Sequence, residues 1–208
     1  MLSPNKLVYN DLIFKKQNIL GQGVTGKVYR IQTNEIDHDS NYVVKKICNP
    51  ISYWAMSLII MHSTSMNAFK KEVEITHRLS NNSISPKIIY YNYTRKYYVM
   101  EKMDYTLRYM INLGMLDCSH IQKLTRLLTR LNNTPYRHLD LHNNNIMWSN
   151  RLNDFRIIDW GFHEKINNYQ SNRQRGEFLK IYRKIGIIKK ILRYFLTFKF
   201  RVNMLLYK

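Results

Sequence analysis

The chain has 208 residues, 33 Lys and Arg against 14 Asp and Glu, a formal charge of +19 and a hydrophobic fraction of 45%, enough for one compact unit or two small lobes around a real core. The charge favours anionic partners (nucleotide, nucleic acid, acidic protein or membrane surface) without choosing among them. Cys48 and Cys118 are the only cysteines; with no metal-type spacing and no apolar run behind Met1, they argue against a disulfide framework and a secretory signal and fit a reducing intracellular compartment.

In chain order, the first informative stretch runs from Ile19 to Ile31, where Gly21, Gly23 and Gly26 sit between apolar and β-branched residues. It reads as strand, turn, strand. Glycines there let the backbone pass close over phosphates without Cβ clashes. A dinucleotide-binding turn opens a helix, whereas Lys27 to Ile31 alternates as a strand, which favours a phosphate cover between two strands over that alternative. An ordinary glycine hairpin is the plain alternative.

A polar turn from Thr33 to Asn41 leads into Tyr42-Val43-Val44-Lys45-Lys46-Ile47, a buried strand with a lysine pair. Strand neighbours face opposite sides, so only one lysine points inward; Lys46 is expected to stay solvated. Residues 51–66 are apolar with serines, either an extension of the next helix or an insertion. Their longest apolar run, Ile51 to Met61, is too short to span a bilayer. From Asn67 to Leu79, Phe69, Val73, Ile75 and Leu79 give a helical face. Two strands follow at Ser85 to Tyr90 and Tyr97 to Met100, ending at Glu101-Lys102-Met103-Asp104. A short helix is expected over Thr106 to Met110. A longer one, capped by Asp117 or Ser119, carries Ile121, Leu124, Leu127, Leu128 and Leu131 inward.

Then comes the stretch that carries chemistry. His138-Leu139-Asp140-Leu141-His142 places an acid at Asp140 and a carboxamide five residues later at Asn145; Ile157-Ile158-Asp159-Trp160-Gly161 adds a second acid. One carboxylate to orient or deprotonate a hydroxyl, and an Asn oxygen with a second carboxylate to hold Mg²⁺ on nucleotide phosphates, are the parts of a phosphoryl-transfer site.

With these residues in order, Ile19 to Gly161 resembles the protein-kinase-like superfamily. The resemblance rests on Gly21/Gly23/Gly26, Lys45, Glu72, the 100–103 segment, Asp140 with Asn145, and Asp159. It implies a bilobal α+β fold in a single domain: an antiparallel-sheet N-lobe and hinge over about 1–103, and a reduced helical C-lobe over about 104–208. ATP and Mg²⁺ are the implied cofactors. Asp140 would be the base, Asn145 and Asp159 the Mg²⁺ ligands, and Lys45 the partner of the phosphates, held by Glu72, with Glu74 as the alternative. Gly21, Gln22, Gly23, Gly26 and Val28 would cover the nucleotide. Met100 would be the gatekeeper; the hinge, Glu101 included, would read the adenine through its backbone donors and acceptors, with Met103 beside the ring. His138 would brace the loop.

Three departures bear on the substrate. Leu139 stands where an Arg usually receives an activation-loop phosphate, so control by loop phosphorylation is not expected. His142 replaces the lysine usual in Ser/Thr kinases, and the wording around Asp140 and Asp159-Trp160-Gly161 resembles aminoglycoside and choline phosphotransferases. Those enzymes usually carry a long insertion where Met103 to Asp140 spans only 37 residues. Only 47 residues follow Gly161, with no A-P-E segment. This size resembles compact atypical kinases: the small KEOPS kinase, the RIO kinases and minimal viral or bacterial-effector kinases. Abundant Asn, Ile, Lys and Tyr suit an AT-rich genome, viral ones included.

Phe162 to Lys208 holds twelve Lys and Arg against Glu164 and Glu177, a net of +10. Its apolar residues recur near helical spacing, so one or two basic amphipathic helices are expected. They would complete the C-lobe core, or contact an acidic protein, nucleic acid or an anionic membrane. The expectation from sequence is a minimal Ser/Thr protein kinase, cytoplasmic (host cytoplasm if viral), acting on a protein substrate or with a regulatory protein partner. A kinase-shaped binding scaffold and a small-molecule phosphotransferase are the alternatives.

Overall fold

A computed structural model of the protein describes residue 12 and residues 14–23, 26–31, 41–48 and 65–165. Its first part is a five-stranded antiparallel sheet of β1 (Ile19–Gln22), β2 (Gly26–Arg30), β3 (Tyr42–Ile47), β4 (Ile88–Asn92) and β5 (Tyr97–Glu101), in the order β1-β2-β3-β5-β4. Strand alternation sorts the side chains onto two faces. Val44, Tyr97 and Val99 pack on one face, under Leu12 and Phe14 of the N-terminal segment. Val43, Ile47, Tyr98 and Met100 pack on the other, against α1 (Ser65–Ser80) through Ala68, Phe69 and Val73. Lys46 is partly buried rather than simply solvated, because its ammonium sits 4.1 Å from the centroid of the Phe14 ring on the outer face.

α1 also belongs to the second core. Ile75 and Leu79, one to two turns on, join Leu107 and Met110 of α2 (Leu107–Asn112) and Leu124, Leu127, Leu128 and Leu131 of α3 (Cys118–Asn132). Each such buried side chain contributes on the order of 1.5–3 kcal/mol. Of the two possible caps, Asp117 starts α3: its Oδ1 accepts the His120 N–H at 2.8 Å, which satisfies one donor of the first turn. Thr106 caps α2 in the same way, accepting the Tyr109 N–H.

Two small sheets carry the residues between helix and site. β6 (Tyr105–Thr106), β8 (Ile146–Ser149) and β9 (Asp154–Ile157) form one; β7 (Tyr136–His138) and β10 (His163–Lys165) form the other. Arg130 of α3 and Arg156 of β9 meet on Asp154 Oδ2 at 3.0 and 2.8 Å, tying helix to sheet.

The boundaries differ from expectation at two places. The strand expected from Ser85 starts at Ile88. Pro86 has no N–H to give a ladder, and the Ser85 hydroxyl donates to the Thr76 carbonyl of α1 instead. α1 begins at Ser65, two residues ahead of the apolar pattern. The expected turn at 33–40, the stretch 51–64 and the basic tail from 166 onward lie outside the described residues. Among the described residues, no helix is long and apolar enough to cross a membrane.

Candidate active site

Between the five-stranded sheet and the helical part lies a cavity of about 500 Å³, within the range usual for small-molecule sites. Its roof is formed by Leu20, Gly21, Gln22, Gly23 and Gly26, at the adjoining ends of β1 and β2. A Cβ on Gly26 would stand 2.7 Å from the Lys46 carbonyl oxygen, whereas one on Gly21 would meet nothing within 4 Å. Gly26 is therefore fixed by strand packing. At Gly21 the space that glycine leaves open is free of protein atoms.

Lys45 enters the cavity from β3. Its Nζ lies 2.6 Å from Glu72 Oε1 of α1 and 2.6 Å from Asp159 Oδ1. Glu72 is fully buried, while Glu74 sits on the exposed side of α1 near Lys70; the helix phase thus selects Glu72. Burial pulls the ammonium down, but the Asp159 and Glu72 charges outweigh it and hold Lys45 well above the ordinary lysine range. Lys45 in turn holds the Asp159 carboxyl below its usual range, against the opposing effect of burial.

Asp159 has φ of 63°, a left-handed conformation that is uncommon for a residue other than glycine and costs energy unless its surroundings hold it. The Lys45 contact and the Trp160 anchor do so. Trp160 is fully buried and donates from Nε1 to the Ile157 carbonyl at 3.0 Å. Asn145 is joined to the same end of the site, since the Ile158 N–H donates to the Asn145 carbonyl at 2.9 Å.

The Asn145 amide donates from Nδ2 to the Asp140 carbonyl at 2.9 Å and lies 3.4 Å from Asp140 Oδ2. This commits the nitrogen and leaves Oδ1 as an acceptor. Asp140 stands about half exposed beyond the cavity wall, with His142 Nε2 3.5 Å from its Oδ2. The Asn145 oxygen and the second oxygen of Asp159 are hard donors on one cavity wall. Such a pair suits Mg²⁺, which takes one or two protein oxygens and completes its shell with phosphates and water. Among the described residues no cluster of three or more His, Cys, Asp or Glu could hold a metal unaided.

His138 braces this loop. Its Nδ1 accepts the Asp140 N–H at 3.1 Å and its Nε2–H donates to the Ile158 carbonyl at 3.0 Å, with Trp160 edge-on at 4.7 Å. Burial pushes His138 below the ordinary histidine range, and His163, whose Nδ1 lies 2.8 Å from the Trp160 carbonyl, is pushed the same way. Both rings are held neutral, so as the pH falls below about 6.5 the unfolded chain takes up protons that the folded one refuses. Stability is therefore full above that range and declines below it. The melting temperature is expected to fall between pH 7.5 and 5.5, and His138→Gln to show a shallower fall. A wild-type melting temperature that stays level across that interval contradicts the assignment.

The structure brings Gly21, Gln22, Gly23, Gly26, Val28, Lys45, Met103, Asn145 and Asp159 to the cavity wall. It does not bring Asp140, Glu72 or Glu101 there. Glu72 lies behind Lys45 and can reach a ligand only through it. The Glu101 carboxylate is turned away by its own partners, the Lys87 N–H at 2.9 Å and Arg151 at 2.9 Å; Lys102 takes its place on the wall. Sequence reasoning missed Leu20, Val43, Met147 and Ile158, which give the cavity apolar walls. Val43 had a legible signal: it lies two residues from Lys45 along β3, hence on the same face.

Comparison with family models matches residues 14–182 to the protein kinase domain. No curated protein shows a significant match to the sequence.

Proposed function

The chain belongs to the protein kinase domain family, and we propose that it is an ATP- and Mg²⁺-dependent serine/threonine protein kinase. The observation that carries this proposal is the convergence of Lys45, Glu72, Asp159, Asn145 and Asp140 at one end of a nucleotide-sized cavity. Gly21, Gln22, Gly23 and Gly26 cover the phosphates, with open space over Gly21. Lys45, kept charged and aimed by Glu72, meets the phosphates, and the apolar wall of Val28, Val43, Met100, Met103 and Met147 holds the base. Bound Mg²⁺ would neutralise charge on the phosphates, with Asn145 and Asp159 holding it. Asp140, reachable from solvent at the cavity end, orients the acceptor hydroxyl and takes its proton. We further propose that the net charge of +10 beyond Gly161 serves an acidic protein substrate or partner, through long-range attraction.

A small-molecule phosphotransferase is the second reading, favoured by His142 beside Asp140 and by Asp159-Trp160-Gly161. Acceptor analysis separates the two. Protein mixtures and a panel of aminoglycosides and choline are incubated with labelled ATP and Mg²⁺, and the acid-stable products are identified. Phosphoserine or phosphothreonine on protein is expected. Phosphotyrosine alone, or a phosphorylated small molecule with unlabelled protein, contradicts it.

A further inference from the structure

Tyr98 belongs to none of the motifs above, yet its hydroxyl donates to Glu72 Oε1 at 2.9 Å, the same oxygen that receives Lys45 at 2.6 Å. In the β3–β5 ladder Tyr98 lies directly opposite Lys45. Directly opposite residues on paired strands project to the same face, so the phenol and the ammonium descend side by side towards α1. The Tyr98 ring is 1% exposed and packs against Phe69 of α1, with centroids 6.1 Å apart.

We propose that Tyr98 is a positioning residue for phosphoryl transfer, holding the Glu72 carboxylate, and through it Lys45 and α1, in the inward arrangement. This rests on the kinase reading of the site. Lys45 divides its charge between Glu72 and Asp159 at equal distances, and phosphates entering the cavity add a third claim on it. Glu72 then needs a donor that does not leave. The Tyr98 hydroxyl is that donor: it is anchored by a strand, it is buried, and it is bonded to Glu72. Burial, and then the Glu72 charge, push the phenol well above its ordinary range, so it keeps its proton throughout the working pH range. A phenylalanine would fill the same space in the core. The hydroxyl adds only the bond to Glu72.

The test is Tyr98→Phe in the full chain, alone and with Glu72→Met, which keeps the volume but removes the acceptor. Three quantities are measured: kcat/KM for ATP, the melting temperature, and hydrogen exchange of the α1 amides at 71–75. A hydrogen bond to a charged group corresponds to roughly tenfold or more in an equilibrium or rate. The expected result is a fall of about tenfold in kcat/KM for ATP, faster exchange at 71–75 and a melting temperature lowered by only about 3–6 °C. In the Glu72→Met background, Tyr98→Phe adds no further loss, because the two residues act as one unit. Tyr98→Phe with wild-type kcat/KM overturns the proposal, and so does an equal loss in both backgrounds, which would place the effect in packing. If the wild type itself transfers no phosphoryl group, the kinase reading fails on its own account. The exchange data then decide the brace: unchanged exchange at 71–75 overturns it, and faster exchange supports it.

Discussion

Asp159→Asn is expected to lower phosphoryl transfer by about a thousandfold with little change in melting temperature. The loss follows from charge. Asp159 offers one oxygen to Lys45 and the other to the proposed metal position, and stabilising charge on transferring phosphates is worth several kcal/mol, at a factor of ten per 1.36 kcal/mol. The fold survives for two reasons. Asn tolerates the left-handed conformation that residue 159 adopts at φ of 63°, and Lys45 keeps Glu72 as its counter-ion. Alanine would confuse the two effects, because it removes the charge and also strains the backbone. Turnover of labelled ATP beside a thermal melt checks this. A variant that melts like the wild type and still turns over within tenfold of it contradicts the role given to Asp159.

Lys45→Met is expected to damage both activity and fold. Glu72 is fully buried, and without Lys45 its charge keeps only hydrogen-bonding partners such as the Tyr98 hydroxyl. Breaking a buried pair by removing one partner costs about 3–5 kcal/mol, which in a chain of this size lowers the melting temperature by on the order of 10 °C. Replacing both members, Lys45→Met with Glu72→Met, removes the stranded charge and should recover most of that loss, since an apolar pair of similar volume is often no less stable than a buried ion pair. Phosphoryl transfer stays lost in both variants. The comparison therefore separates the structural role of the pair from its chemical one. Lys45→Met melting at the wild-type temperature, or Lys45→Met/Glu72→Met melting no higher than Lys45→Met, contradicts the account of the pair.

The parts of the site that local spacing defines were legible in the sequence. Asp140 and Asn145 lie five residues apart on one loop, and Lys45 is the inward member of an alternating strand. Glu72 was named through the family resemblance, with Glu74 left as the alternative, and the structure places Glu72 under Lys45 at 2.6 Å. What escaped depends on pairing between distant strands. Tyr98 matters because β5 lies beside β3 in a register that sets it opposite Lys45, and nothing within Tyr97 to Met100 announces that register. The side-chain partners of Glu101 were hidden in the same way: its place at the end of β5 is visible in the sequence, but Lys87 and Arg151, which hold its carboxylate, are 14 and 50 residues distant. Alternation and helical periodicity marked individual strands and helices, while the α+β class and the antiparallel sheet came from the family resemblance. Boundaries such as the late start of β4 were set by Pro86 and by a side-chain bond from Ser85, which strand patterning does not see.

The proposed chemistry rests on Asp140 acting on an acceptor hydroxyl at a site proposed to take ATP and Mg²⁺. The most direct test is a time course of γ-phosphoryl transfer from labelled ATP in the presence of Mg²⁺, run for the wild type beside Asp140→Asn at matched concentration and matched melting temperature. Label accumulating on the acceptor or on the protein with the wild type, and falling to background with Asp140→Asn and on omission of Mg²⁺, is the predicted result. Equal transfer by the two proteins, or none by either while both remain folded, would contradict it.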